Sequence, residues 1–226
     1  MTDYGLLYAA GRERISGLVR DLDDEQASIT VPACPVWTVH DVVAHLAGTV
    51  TDVLAGRLDG VASDAWTAEQ VEARRDVSIP ALLDEWSEGS PYYEDGLRAI
   101  GAPLAGTAIS DQFQHEHDIR GALDRKGGRD LEVLLTTIES YVPGLTARIT
   151  EAHLPALRLE AGAHGFDAGE GAPATTLTAE PFELARLLGG RRTIDEMRGL
   201  RWDGDAEPYL PLLSAYGLPR ASLGER

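Results

Sequence analysis

The sequence predicts an α+β protein, with a four-helix bundle over residues 1–153 and a small α+β domain over 154–226. Three observations carry this expectation. Apolar residues recur at a helical period through four long N-terminal segments. The loops between those segments are short, which favours antiparallel neighbours in a bundle. After Leu154–Pro155 the texture changes to short alternating segments separated by glycine-rich stretches.

Leu6, Leu7, Ala10, Ile15, Leu18 and Val19 define a first helix over 3–21. "PACPVW" is a rigid entry loop, because each proline restricts the residue before it. Thr38 then reads as an N-cap, with Asp41 in the position a capping box gives to Glu. The second helix should run to about Leu58, its apolar side built from Val39, Val42, Val43, Leu46, Val50, Val53 and Leu54. Residues 67–76 suit a short helix. Ser78 caps a third long helix with Pro80 in its first turn. "GAPLAG" is a loop, and the fourth helix carries "DQFQHEHDIRGAL" before the turn "DRKGGRD". A further helix spans 130–152, with a disturbance expected at Pro143. "ALRLEAG" and "ATTLTAE" have strand patterning, with "HGFDAGEGAP" as the connection between them. "PFELARLLGG", "TIDEMRGL" and "EPYLPLLSAYG" complete the chain as short helices.

Composition narrows the function classes. Of 226 residues, 43% are hydrophobic and 25% charged, as in soluble globular proteins. The formal net charge of -17 argues against nonspecific binding to nucleic acid or to an anionic membrane, because phosphate contacts need a basic patch. Acids and arginines interrupt the apolar residues of "MTDYGLLYAAGRERISGLVRDL", so no signal peptide is expected there. No run reaches membrane-spanning length, and the expected location is the cytoplasm. The single cysteine, Cys34, excludes an intramolecular disulfide and a cysteine-rich zinc module. With no partner at ligand spacing, it reads as incidental.

The histidines carry the chemistry. On the fourth helix Asp111, His115 and Asp118 share one face, whereas Glu116 and His117 point elsewhere. A carboxylate and an imidazole one turn apart can close on one divalent ion, although such pairs are commonly only a solvated face. On the second helix Thr38, Asp41, His45, Thr49 and Asp52 form a polar stripe. His45 within it sits among apolar neighbours, beside the core side of the bundle. Facing helices of a bundle can converge ligands in the interior. Two imidazoles plus one carboxylate leave a fourth coordination position open, as catalytic zinc sites do. His40 reads as a surface residue of the second helix. His153 and His164 lie at a helix end and in a glycine-rich loop. Arg191 and Arg192, after "GG", either offset a helix dipole or bind a substrate carboxylate.

"CPVWTVHDVVAHLAG" resembles the entry loop and second helix of the mycothiol-dependent maleylpyruvate isomerase family, within the DinB-like metal-binding bundles. "DQFQHEHDIRGALDRKGGRD" resembles that family's fourth helix, and "FELARLLGGRRTIDEMRGLRWDGD" its small C-terminal domain. The resemblance implies a metal site at His45, Asp111 and His115, holding a divalent ion, zinc above others. Asp118 is then the acceptor that orients a metal-bound imidazole, and His117 is no ligand. The family's characterised isomerase has glutamate where this chain has Asp111. Aspartate is one methylene shorter, so the ion must sit closer to that helix or be bridged by water. The partners implied are mycothiol, as a low-molecular-weight thiol, and an electrophilic small molecule. The outcome is cis–trans isomerisation or thiol S-transfer. Two further readings stand beside it. Water in the open position would make the bundle a metal-dependent hydrolase, and a bundle without chemistry would be a metal sensor or scaffold.

Overall fold

The computed structural model describes residues 2–214 and 216–225. Its contacts separate two compact units, Met1–Gly128 and Arg129–Arg226. The first unit holds α1 (Tyr4–Val19), α2 (Asp24–Ala27), α3 (Val39–Leu54), α4 (Asp64–Ala73), α5 (Ile79–Ile100) and α6 (Leu104–Ala122). Of these, α1, α3, α5 and α6 form the bundle: α3 and α6 both pack against α5, α1 packs between α5 and α6, and α4 lies along α3. Ile15, Val19, Val42, Val43, Leu46, Leu82, Trp86, Ile109 and Phe113 are all buried in it. Each such side chain contributes roughly 1.5–3 kcal/mol through removal from water.

Local signals set the ends of the helices that matter for the site. Thr38 and Asp41 form a reciprocal capping box at the start of α3, each side chain accepting from the other's backbone N–H. The helix ends at Leu54 instead of near Leu58, because Gly56 adopts a φ of 70° and stops propagation. Ser78 caps α5 and Pro80 lies in its first turn. α6 starts inside the "GAPLAG" segment, at Leu104.

The second unit holds α7 (Leu131–Glu151), β1 (Leu157–Ala161), β2 (His164–Ala168), β3 (Thr175–Ala179), α8 (Pro181–Leu188), α9 (Ile194–Arg198), β4 (Arg201–Asp203) and a 3-10 turn at Leu210–Leu212. Its sheet has the order β2-β1-β3-β4. β1 is antiparallel to β2 and parallel to β3, and β3 is antiparallel to β4.

Four details differ from the expected layout. The compact units divide at residue 128 and not at 153, because α7 packs against α8 and β2. Part of the glycine-rich connection is the strand β2, whose His164, Gly165 and Asp167 are exposed, so it shows no apolar alternation to read. α7 runs unbroken through Pro143, which sits on its exposed side, as Pro91 does in α5. Of "EPYLPLLSAYG", whose Ala215 lies outside the described residues, only the 3-10 turn is helical. No helix among the described residues is long and apolar enough to cross a membrane.

Candidate metal centre

Helical spacing places the donors. His45 faces inward from the second turn of α3 and is 3% exposed. On α6 Asp111 and His115 stand one turn apart, with His115 7% exposed. The Asp111 side chain keeps 40% of its surface in contact with solvent. Asp111 Oδ2 lies 3.6 Å from His45 Nε2, and its Oδ1 lies 3.5 Å from His115 Nε2. The three donor atoms fall within 4.8 Å of one another. Tetrahedral zinc with bonds of about 2.0–2.1 Å requires donor separations of roughly 3.4 Å, and the two carboxylate–imidazole separations lie near that value. At 3.5–3.6 Å the carboxylate makes long contacts with the two imidazoles.

The surroundings fix the two rings. Trp37 lies over both, with ring centroids 5.2 Å from His45 and 5.8 Å from His115. The imidazoles meet edge to face at 5.1 Å. Nδ1 of His45 is 2.8 Å from Oε1 of Gln70, a residue of α4 that is 1% exposed. Nδ1 of His115 lies 3.3 Å from Asp118 Oδ2, close enough to sense its charge but outside hydrogen-bond geometry. Asp118 is buried, and the Cys34 thiol approaches the same oxygen at 3.6 Å. Cys34, His115 and Asp118 therefore form a second convergent donor group through the other nitrogen of His115.

Burial disfavours the His45 cation, yet Asp111 and Gln70 together outweigh it and hold its pKa above the ordinary 6.5. Tyr8 and Tyr93 stay protonated far above the usual phenol range, first through burial, with a contribution from Asp111's charge.

The remaining candidates have other uses. His117 is buried against the Phe113 ring, and its Nε2 is 3.1 Å from the Gly128 carbonyl. It belongs to neither donor group. Glu116 is fully buried between Arg14 and Arg120. His40 is not a free surface residue, since its Nε2 lies 2.6 Å from the Val77 carbonyl. Arg192 is 4% exposed, and its guanidinium is engaged by Glu183 and Glu225. Arg191 binds the Gly189 carbonyl at 2.5 Å. The structure thus gives these arginines partners inside the C-terminal unit. Gln70, Trp37 and Cys34 were not legible as site residues. Only the "CPVW" loop just ahead of the His45 helix hinted at two of them.

The first unit is thus a helical bundle carrying a convergent His–Asp–His donor set, in a chain with a small α+β module after it. Residues 8–109 match the family described as the mycothiol maleylpyruvate isomerase N-terminal domain. The matched stretch includes His45 and ends two residues before Asp111. The fold is similar to the crystal structure of the mycothiol-dependent maleylpyruvate isomerase, with TM-score 0.56 and 14% identity over 90% of this chain and 96% of that one. A histidine-to-alanine mutant of that enzyme aligns with TM-score 0.55 and 12% identity over the same shares. At these identities the likeness establishes the fold, and the family resemblance of the sequence agrees with it. No curated protein matches the chain.

Proposed function

We propose that His45 Nε2, an Asp111 oxygen and His115 Nε2 bind one divalent ion, zinc by fit, and that the chain is a mycothiol-dependent enzyme of the maleylpyruvate isomerase type acting on an electrophilic small molecule. The observation that supports this reading is the convergence of three donors from two helices within 4.8 Å of one another. The domain family and the fold support the same reading. When bound, the ion lowers the pKa of a coordinating thiol and so supplies a thiolate at neutral pH.

The protein's own residues do the rest. Asp111 is the partly exposed member of the set, so reactants enter on its side. Trp37 covers the two imidazoles and keeps bulk water from them. Asp118 lies on the far side of His115, 3.3 Å from its Nδ1. The neutral phenols of Tyr8 and Tyr93 near Asp111 can donate hydrogen bonds but carry no charge to repel an anionic reactant. Thiolate addition to the electrophilic carbon, bond rotation and expulsion of the thiol give cis–trans isomerisation, whereas retention of the adduct gives S-transfer.

The test is an assay of zinc-loaded protein with maleylpyruvate, with and without mycothiol. The expected result is conversion to fumarylpyruvate, or a thiol adduct, only when mycothiol is present, and loss of that activity with a chelator. Turnover independent of thiol, or none with any thiol–electrophile pair while zinc is bound, contradicts the reading.

A further inference from the structure

We infer that Asp52 and Gln70 form a relay that sets the tautomer of His45, keeping its Nε2 lone pair directed at the donor set. The inference rests on the metal reading above for its purpose, but its geometry stands alone. Asp52 accepts from Arg57 Nε and Nη2 at 2.8 and 2.6 Å. A carboxylate held in this way is an acceptor only, so the Gln70 group facing it must be the NH2. Gln70 Nε2 is 2.9 Å from Asp52 Oδ2. The amide oxygen then faces α3, where it lies 2.8 Å from His45 Nδ1 and 3.4 Å from the Thr49 hydroxyl. An oxygen at that distance requires an N–H on Nδ1. The neutral ring carries only one proton, so Nε2 is left with its lone pair, towards Asp111.

The relay uses the polar stripe of α3. His45, Thr49 and Asp52 follow one another at helical spacing, and Gln70 crosses all three from α4. The helices come this close because residue 48 is glycine. A Cβ there would lie 2.8 Å from Gln70 Cβ and 2.9 Å from Arg74 Nη1. Asp52, Arg57 and Gln70 also line a cavity of about 680 Å³, so the outer end of the relay is reached by solvent while its inner end is buried. Gln70 and Asp52 are therefore positioning residues, acting on the metal site through His45.

The test combines long-range ¹H–¹⁵N correlation spectra of the metal-free full chain with zinc affinity by chelator competition. Wild-type protein should show His45 as the Nδ1–H tautomer. Gln70→Leu should mix the tautomers and weaken zinc binding roughly ten- to hundredfold, the usual effect of losing an orienting partner. Asp52→Asn should act in the same direction but less, since the amide can then turn its NH2 towards His45. The double variant Gln70→Glu/Asp52→Asn reverses donor and acceptor at the outer link. It should restore both the Nδ1–H tautomer and the affinity, a rescue that a merely structural role would not give. If Gln70→Leu fails to fold, Asp52→Asn and the double variant still decide. An Nε2–H tautomer in the wild type, or unchanged tautomer and affinity across the variants, overturns the relay. Wild-type protein with the Nδ1–H tautomer but no zinc uptake would overturn the metal reading and leave the relay's orientation standing.

Discussion

One cluster of ionisable side chains in the C-terminal unit and the His–Asp–His cluster of the bundle are arranged differently. In the C-terminal unit Arg186, which is fully buried, and Arg192 share Glu225, while Glu183 takes the other side of Arg192. Donors and acceptors there meet at hydrogen-bond distance, so the charges close on one another. In the bundle Asp111 stands 3.5–3.6 Å from His45 and His115, and the three donor atoms lie within 4.8 Å of one another. Burial alone does not mark a site. What separates the two is distance, with tight carboxylate–guanidinium pairs in one and longer carboxylate–imidazole contacts in the other.

This contrast can be broken from the C-terminal side first. Glu225→Ala removes the carboxylate shared by two buried cations and should destabilise that unit by about 3–5 kcal/mol. Denaturant unfolding monitored together with zinc content checks it. The expected outcome is a large loss of stability with zinc binding unchanged. A loss of zinc would mean that the closed network also serves the donor set.

Asp111→Glu sharpens the other side of the comparison, because it restores the family's usual acid. Chelator competition should show zinc affinity equal to or tighter than that of the wild type. Loss of binding would show a pocket rebuilt around aspartate, and the isomerase activity of the relatives should then not be assigned to this chain.

A smaller effect is expected at Glu85 in the bundle. Burial pushes its carboxyl up, but hydrogen bonds from Arg74 and Thr51 and Arg74's charge together hold it below the ordinary 4.5. Its contribution to stability is therefore present above the unfolded value and is lost as pH falls through the lower folded value. Glu85→Gln should make the fall of Tm on acidification shallower, and parallel slopes would contradict the ion pair's role. Smallest of all, Arg198→Ala removes solvent-screened contacts to Asp195 and Glu207 and should leave the stability almost unchanged. A larger loss in denaturant titration would show that an exposed pair counts here as a buried one does.

The sequence singled out His45, Asp111 and His115, which the structure brings together, and missed the residues around them. His45, Asp111 and His115 were legible because helical spacing puts each on an inward-facing stripe, and the "CPVWTVHDVVAHLAG" and "DQFQHEHDIRGAL" segments resemble a family with such a site. Gln70 was not, since α4 has almost no apolar periodicity and its role depends on the approach permitted by Gly48. Cys34 touches Asp118 across 84 positions of chain, a contact that no local pattern encodes. Arg192 read as a candidate for substrate only because Glu225, its partner 33 residues away, could not be placed beside it from sequence. The helices of the bundle were readable from period and caps. β2 was not, for its outward residues leave no alternation and only pairing with β1 makes it a strand.

The central claim, that His45, Asp111 and His115 form an open metal-binding set, is tested most directly by the zinc content of wild-type, His45→Ala and His115→Ala proteins purified in parallel. The account predicts about one equivalent in the wild type and none in either variant, with all three chains folded by circular dichroism and a chelator lowering the Tm of the wild type alone. A wild-type protein that takes up no divalent metal, or variants that retain it fully, would contradict the account.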